Sequence, residues 1–288
     1  MFKNRSLKFQ GICCILMAAF FFCLMSLFVR LSGDLPVMEK AFFRNAVAAI
    51  VALTMLLRTG EKFRIGKGNV PFLLLRSGFG TAGIIANFYA IDHMAISDAN
   101  MLNKLSPFFA IIMSYFILKE KASKKEWAAV VVAFAGALLV IKPSFTAGAI
   151  PGLIGVFGGF GAGVAYTYVR KLGKRGERGP LIVFFFSTFS TLFVTPFMIA
   201  DFVPMTAMQI LLLLAAGASA AGGQLSITAA YSKAPAKEIA VFDYSQILFA
   251  ALLGFVFLGE LPDIFSVIGY VVIIGAAVWR MQAIREKG

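Results

Sequence analysis

The feature that most constrains this chain is the recurrence of apolar runs of about 20 residues, the length an α-helix needs to cross a hydrocarbon layer. Ten can be drawn, at 10–30, 37–57, 70–91, 96–118, 125–142, 150–170, 180–200, 208–231, 237–258 and 263–281. Short basic or Gly/Pro-containing stretches divide them and leave no room for a sizeable soluble domain. With no water to bond, a backbone in lipid must satisfy itself, and uniform runs of this length do so as helices. Composition agrees: 60% of the residues are hydrophobic, 31 are Phe, and mean hydropathy is +0.86, far from a soluble domain. The sequence therefore predicts an all-α, multi-pass protein of the cytoplasmic membrane with ten transmembrane helices.

The first run carries Lys3, Arg5 and Lys8 ahead of it, like a signal peptide. No small-x-small cleavage site follows, and Gly-Ile before Cys13 and Cys14 rules out a lipobox, so it is read as a span. Cys13, Cys14 and Cys23 all lie in it and read as small buried hydrophobes, pointing to neither disulfide nor metal.

Charge gives the orientation. With the N-terminus in the cytoplasm, the inner segments hold 22 of the 27 basic residues, in groups beginning at Lys3, Arg58, Lys119, Arg170, Lys233 and Arg280, with Arg76 counted among them. The outer segments hold Arg30, Lys40 and Lys142, while Arg44 and Lys104 are left inside spans. All loops are short, so the positive-inside rule applies and places both termini in the cytoplasm. The net charge of +13 reports topology and contact with anionic lipid. The basic residues are scattered over several loops, so they form no nucleic-acid groove.

Shifting the chain by 140 residues aligns its halves without a gap. FILKEKASKKEW (116–127) falls on VFLGELPDIFSV (256–267), SLFVR (26–30) on YTYVR (166–170) and AIDHMAISDAN (90–100) on AYSKAPAKEIA (230–240). Each half, 1–146 and 147–288, holds five spans, an odd number, so the halves insert with opposite orientation. The loops agree: the segment from Lys119 is lysine-rich, and its counterpart GELPD (259–263) is acidic with no base. Inverted repeats are a transporter architecture with the solute near the midplane.

The 5+5 plan, the arginine of AFFRN (41–45), SPFFAIIMSYFILKEK (106–121) and AGALLVIKP (135–143) resemble the drug/metabolite transporter (DMT) superfamily, EamA type, over nearly the whole chain. The resemblance implies ten helices in two inverted five-helix repeats around a central cavity, with spans 3, 4, 8 and 9 prominent in its wall. It also implies transport of amino acids, nucleotide-sugars, organic anions or drugs, and an arginine in span 2 whatever the solute.

Polar residues inside the spans are where chemistry can sit. In span 4, Asn100, Asn103, Lys104 and Pro107 share one helical face. Lys104 lies ~12 Å from one end of its helix and ~21 Å from the other, beyond snorkelling reach. A charge at that depth costs ~2.5–3.5 kcal/mol unless it faces a cavity or a partner. In span 9 the repeat puts Asp243 on Asn103 and Tyr244 on Lys104, with Gln246 nearby. The helical rise separates Lys104 from Asp243 by ~10 Å along the membrane normal, so a direct ion pair needs a stretched lysine, and a bound solute is the other bridge. Arg44 sits ~10 Å below the outer surface, with Glu39 at i−5, poorly placed to pair. Asn87 and Tyr89 in span 3, Tyr166 and Tyr168 in span 6 and Gln224 in span 8 complete the set.

Each has a plainer reading. Arg44 can hold helix ends, Lys104 can pair with an acid, and Asn87 can bond across helices for ~0.6 kcal/mol. His93 beside Asp92 reads as a solvated turn residue. The glycines of GFGTAG (78–83) and FGGFGAG (157–163) follow no strand and read as close helix packing, not phosphate loops. Trp127 and Trp279 read as interface anchors.

Enzyme chemistry finds no support: there is one His, no HExxH and no serine beside a base. No nucleotide-binding loop, cofactor site or metal site is present, and no ring of repeated charge suggests a channel. The reading is a secondary transporter moving a small polar or amphipathic metabolite, an amino acid or organic anion, by alternating access. The substrate-binding set is Lys104, Asn103, Asn100, Arg44, Asn87, Tyr89, Tyr166, Gln224, Asp243, Tyr244 and Gln246. An exporter or exchanger of nucleotide-type metabolites or drugs, and a non-transporting sensor, are the alternatives. Partners are the solute and the bilayer, with the chain a monomer or homodimer. A desolvated carboxylate favours its protonated form and a nearby ammonium its ionised form. Asp243, read as the only carboxylate well inside a span, is therefore the coupling candidate and protons the candidate coupling ion.

Overall fold

The computed structural model describes residues 2–58, 64–119, 123–141, 149–233 and 240–285. Among these, all regular structure is helical. The helices are α1 (Phe2–Leu31), α2 (Val37–Arg58), α3 (Val70–His93), α4 (Ile96–Asn103), α5 (Ser106–Ile117), α6 (Lys124–Ile141), α7 (Ile150–Lys174), α8 (Gly179–Ala200) and α9 (Ala207–Lys233), then a 3₁₀ turn (Ala240–Tyr244), α10 (Ser245–Leu258) and α11 (Ile264–Arg285). Lys62, Glu120, Lys121, Lys142, Lys237, Glu238 and Lys287 lie outside the described residues. Helix occupies the described part of each of the ten expected spans, most within a few residues of the expected bounds. Five helical stretches, Phe9–Leu31, Val37–Arg58, Ile150–Lys174, Gly179–Ala200 and Ala207–Ile227, are long and apolar enough to cross a membrane unbroken.

Span 4 departs from expectation. The sequence reads as one helix over 96–118, but the chain breaks at Lys104 and Leu105 between α4 and α5. Pro107 is the reason. It sits in the first turn of α5, where its missing N–H costs nothing, whereas inside a continuous helix it would clash with the carbonyl of Asn103 and leave it unpaired. The described part of span 9 begins as the 3₁₀ turn and becomes α-helical at Ser245.

Helices pair lengthwise: α1 along α9, α3 along α7, α2 along α8 and α6 along α11, with α4 against α10. Glycines make the closest crossings possible. A Cβ on Gly83 would stand 3.1 Å from the Gly158 carbonyl, one on Gly159 2.7 Å from the Leu102 carbonyl and one on Gly163 2.7 Å from the Ser106 carbonyl. The glycine runs are thus packing surfaces, and α7 lays its glycine face against the broken span.

Two apolar clusters form the interior. Met101, Leu102, Leu105, Phe108, Ala133, Ile247 and Ile273 form one, where α4–α5 meets α6, α10 and α11. Cys23, Phe88, Ile91, Ile96, Val194 and Ala220 form the other. The perimeter is apolar too: Leu248, Leu252 and Phe255 form an exposed stripe on α10, as a lipid-facing helix requires. All three cysteines are free.

Polar contacts gather the loops at each end. At one end Arg30 donates to the Ile91 carbonyl (2.7 Å) and to Glu260 (3.1 Å), whose other oxygen accepts from the Ile96 amide (2.9 Å). Lys40 is buried and paired with Asp92 at 2.6 Å. Glu39 leaves Arg44 alone and accepts instead from the Val203 amide at 2.7 Å. At the other end Glu177 accepts from the Gly66 amide (3.0 Å) and from Asn69 (2.8 Å). His93, exposed as expected, belongs to the last turn of α3 and stacks on Tyr89.

Candidate functional site

The site begins at the break in span 4. Lys104 is the C-cap of α4: its amide still donates to the Asn100 carbonyl (3.1 Å), but the Leu105 amide tightens onto Leu102 (3.1 Å). The turn frees the Lys104 carbonyl from the helix ladder, and the Tyr244 hydroxyl donates to it at 3.2 Å. In return the Lys104 ammonium makes a salt bridge and hydrogen bond with Asp243 of the 3₁₀ turn. The break in span 4 and the 3₁₀ turn are thus joined twice, once side chain to backbone and once side chain to side chain. Side-chain exposures of 11% for Lys104 and 18% for Asp243 leave the pair nearly dry, which strengthens it and raises the penalty for losing either partner. The second Asp243 oxygen is buried with no hydrogen-bond partner among the described residues.

One turn back along α4, Asn100 locks three elements. Its side-chain carbonyl accepts from Gln246 of α10 (2.6 Å) and from Ser26 of α1 (3.2 Å), and its amide donates to the Ile96 carbonyl (2.7 Å). Asn103 is half-buried at the end of α4. Lys104, Asn100, Asp243, Tyr244 and Gln246 therefore come together, and Lys104 pairs directly with Asp243 where the sequence reading left either a direct pair or a bridging solute open.

The other candidates are spread more widely. Arg44 is buried, donates to Asn45 at 2.6 Å and has its guanidinium 5.8 Å from the Phe186 ring centroid. Tyr166 is 51% exposed yet lies within electrostatic reach of Arg44, Arg76 and Asp243. Asn87 is buried with its side-chain oxygen unpartnered among the described residues, and Gly158 packs on its backbone. Gln224 is half-buried on α9. Tyr89 belongs elsewhere: it lines a 430 Å³ groove between α3, α7 and α8 with Ile85, Ile154, Phe157 and Phe193. Two of those phenylalanines are half-exposed, so the groove opens on the apolar perimeter.

Two residues correct the sequence reading. Arg76, counted with the basic loop, is buried in α3 with its guanidinium 3.6 Å from the Phe186 centroid. Its position six residues inside an apolar run was the available signal. Asp98 lies in the first turn of α4, near a helix end as expected, but is 8% exposed and accepts a hydrogen bond from Tyr270 of α11. Asp243 is thus not the only carboxylate inside the bundle. No cluster of potential metal ligands occurs among the described residues.

The profile of the EamA-like transporter family matches residues 9–142 and again 150–281. The chain is 34% identical over 275 residues to the pseudopaline exporter CntI of Pseudomonas aeruginosa, covering 93% of this chain and 95% of that protein. It is 26% identical to human solute carrier family 35 member G1, over 93% of this chain and 78% of that protein. It is 25% identical to a riboflavin transporter of Brucella anthropi, over 86% and 89%. A solved crystal structure superposes with a TM-score of 0.69 over 96% of this chain and 98% of the other, at 16% identity, and so shares the fold. The helices, the doubled match and the similarity to the pseudopaline exporter together make this chain a multi-pass membrane protein of the EamA-like transporter family, within the drug/metabolite transporter superfamily, and so a mover of small metabolites.

Proposed function

We propose that this chain is a secondary carrier for a small amphipathic metabolite bearing an anionic group, of the amino-acid or organic-anion class. It works by alternating access between two inverted five-helix repeats, residues 1–146 and 147–288, about a central cavity. The observation that carries this reading is the Lys104–Asp243 pair, which joins the break in span 4 to the 3₁₀ turn that opens the described part of span 9. Interrupted helices that meet at a polar centre are how membrane carriers expose charged groups to a solute. The helix pairings add support. Adding 140 to the residues turns the α1–α9 pairing into the α7–α3 pairing and returns α2–α8 and α6–α11 to themselves, as a two-fold axis in the membrane plane requires. The names of the relatives point to unlike solutes, pseudopaline and riboflavin, so the class rests on this chain's own residues.

In the mechanism, a solute anion approaching Lys104 competes with Asp243 for the ammonium. Asp243 released from the pair takes up a proton, and the 3₁₀ turn that carries it moves with the α10 side of the bundle. Return of the pair ejects solute and proton on the opposite side. The test is flux of labelled amino acids and small organic anions in vesicles reconstituted with the purified protein. Specific flux is expected for at least one anionic solute, reduced by about tenfold or more in Lys104→Met. Full flux in Lys104→Met would leave the lysine a packing residue, and solute binding without any flux would make the protein a sensor.

A further inference from the structure

Lys104 has a carboxylate partner, but two other cations in the bundle do not. Arg44 and Arg76 are 5% and 6% exposed, and neither makes an ion pair among the described residues. The two come from different helices, α2 and α3, and converge on one ring of α8, with guanidinium carbons 5.8 Å and 3.6 Å from the Phe186 centroid. The face of an arene attracts a guanidinium but cancels no charge. Arg44 also has the neutral Asn45 side chain as acceptor. Nε of Arg44 and both Nε and Nη1 of Arg76 lack hydrogen-bond partners among the described residues.

That arrangement is unfavourable by itself. Arginine keeps its charge, buried charges are ordinarily paired, and two like charges around one ring repel. The backbone is nevertheless shaped to hold it. A Cβ on Gly80 would stand 2.5 Å from Nη1 of Arg76 and 2.9 Å from the Phe186 ring, so the missing side chain at Gly80 is the space the guanidinium occupies. Tyr166 of α7 is half-exposed and lies within electrostatic reach of both arginines.

We propose that Arg44, Arg76 and Phe186 form an anion site that takes a carboxylate or phosphate group of the transported solute other than the one that competes for Lys104. Guanidinium donors are fork-shaped and match such oxyanions. The identification of the anion as the solute rests on the carrier reading above; the anion site itself does not. The competing account is that the two arginines merely staple α2 and α3 to α8.

Thermal unfolding of the purified protein in neutral detergent separates the two accounts. Sodium chloride, sodium succinate and sodium phosphate are compared at matched ionic strength, with succinamide as the uncharged control. Succinate or phosphate is expected to raise the melting temperature above chloride, and succinamide is not; whichever anion acts names the oxyanion. Arg76→Gln should weaken that anion's apparent affinity by about tenfold or more, and should raise the melting temperature in chloride because it removes an uncompensated charge. Gly80→Ala keeps both charges but displaces the guanidinium, and should weaken the anion response as well. The proposal is overturned if neither anion acts on the unmodified protein. It is equally overturned if Arg76→Gln lowers the melting temperature in chloride while the anion response persists, which is the behaviour of a staple. An anion response in a protein without flux would keep this site and sink the carrier reading; flux without any anion response would do the reverse.

Discussion

Asp243 engages Lys104 with one oxygen, and its other oxygen is buried without a hydrogen-bond partner among the described residues. Asp243→Asn removes that acceptor and leaves the ammonium without its counter-charge, a loss of the kind that costs ~3–5 kcal/mol when the pair is buried. The variant is expected to melt at lower temperature, to lose accumulation driven by a pH gradient and to retain solute exchange, measured by uptake and counterflow in reconstituted vesicles. An unmodified protein in which a pH gradient never drives uptake would remove Asp243 from any coupling role. At this scale the sequence was partly legible. Lys104 and Asp243 announce themselves because charge in an apolar run is costly and the repeat places them near one another. Arg76 and Asp98 do not, because each lies within two turns of a span end, where a side chain either snorkels outward or turns in. The packing of α8 and α11 decides that, and a single span does not encode it. Tyr89 misleads for a related reason: α3 turns one face toward the arginines and another toward the apolar groove that Tyr89 lines.

The interruption of span 4 was visible as Pro107, yet hydropathy alone runs straight through it, because Leu, Phe and Ile continue on both sides. Hydrophobic length measures transfer into lipid and is blind to whether a carbonyl has a donor. The consequence of Pro107 is a turn that frees the Lys104 carbonyl for Tyr244 and aims the ammonium at Asp243. Pro107→Ala restores an N–H to pair with the Asn103 carbonyl and removes the steric bar to a continuous helix. Its melting temperature is expected to hold or rise while flux falls by about tenfold or more. Intact flux would show that the bend is tolerated and not used. The glycine face of α7 reinforces the same geometry: Gly159 and Gly163 abut the carbonyls on either side of the bend, so the two helices approach closely where span 4 turns.

For the molecule as a whole, span count and the 140-residue repeat were readable because both depend only on where apolar runs start and stop. The polar clasp that draws Arg30, Glu260, the Ile91 carbonyl and the Ile96 amide together was not, since it joins residues far apart in the chain. The proposed topology puts that clasp on the extracytoplasmic side and Glu177 on the cytoplasmic side. Single cysteines at Ser123 and Asp263, probed in intact cells with a membrane-impermeant reagent after the native cysteines are removed, test it: labelling is expected at 263 and not at 123. The reverse pattern would overturn the inverted-repeat reading. The bare guanidiniums of Arg44 and Arg76 carry a consequence in electrical terms. In the alternating-access cycle proposed above they would stay fixed to their helices while the barrier shifts from one side of them to the other, so each half-cycle would move their charge through the membrane potential. At ~2.3 kcal/mol per charge per 100 mV, an inside-negative membrane holds the empty carrier with its arginines open to the cytoplasm. A solute anion on the arginines would offset their charge. In the proposed cycle the membrane potential therefore sets the side on which the empty carrier waits.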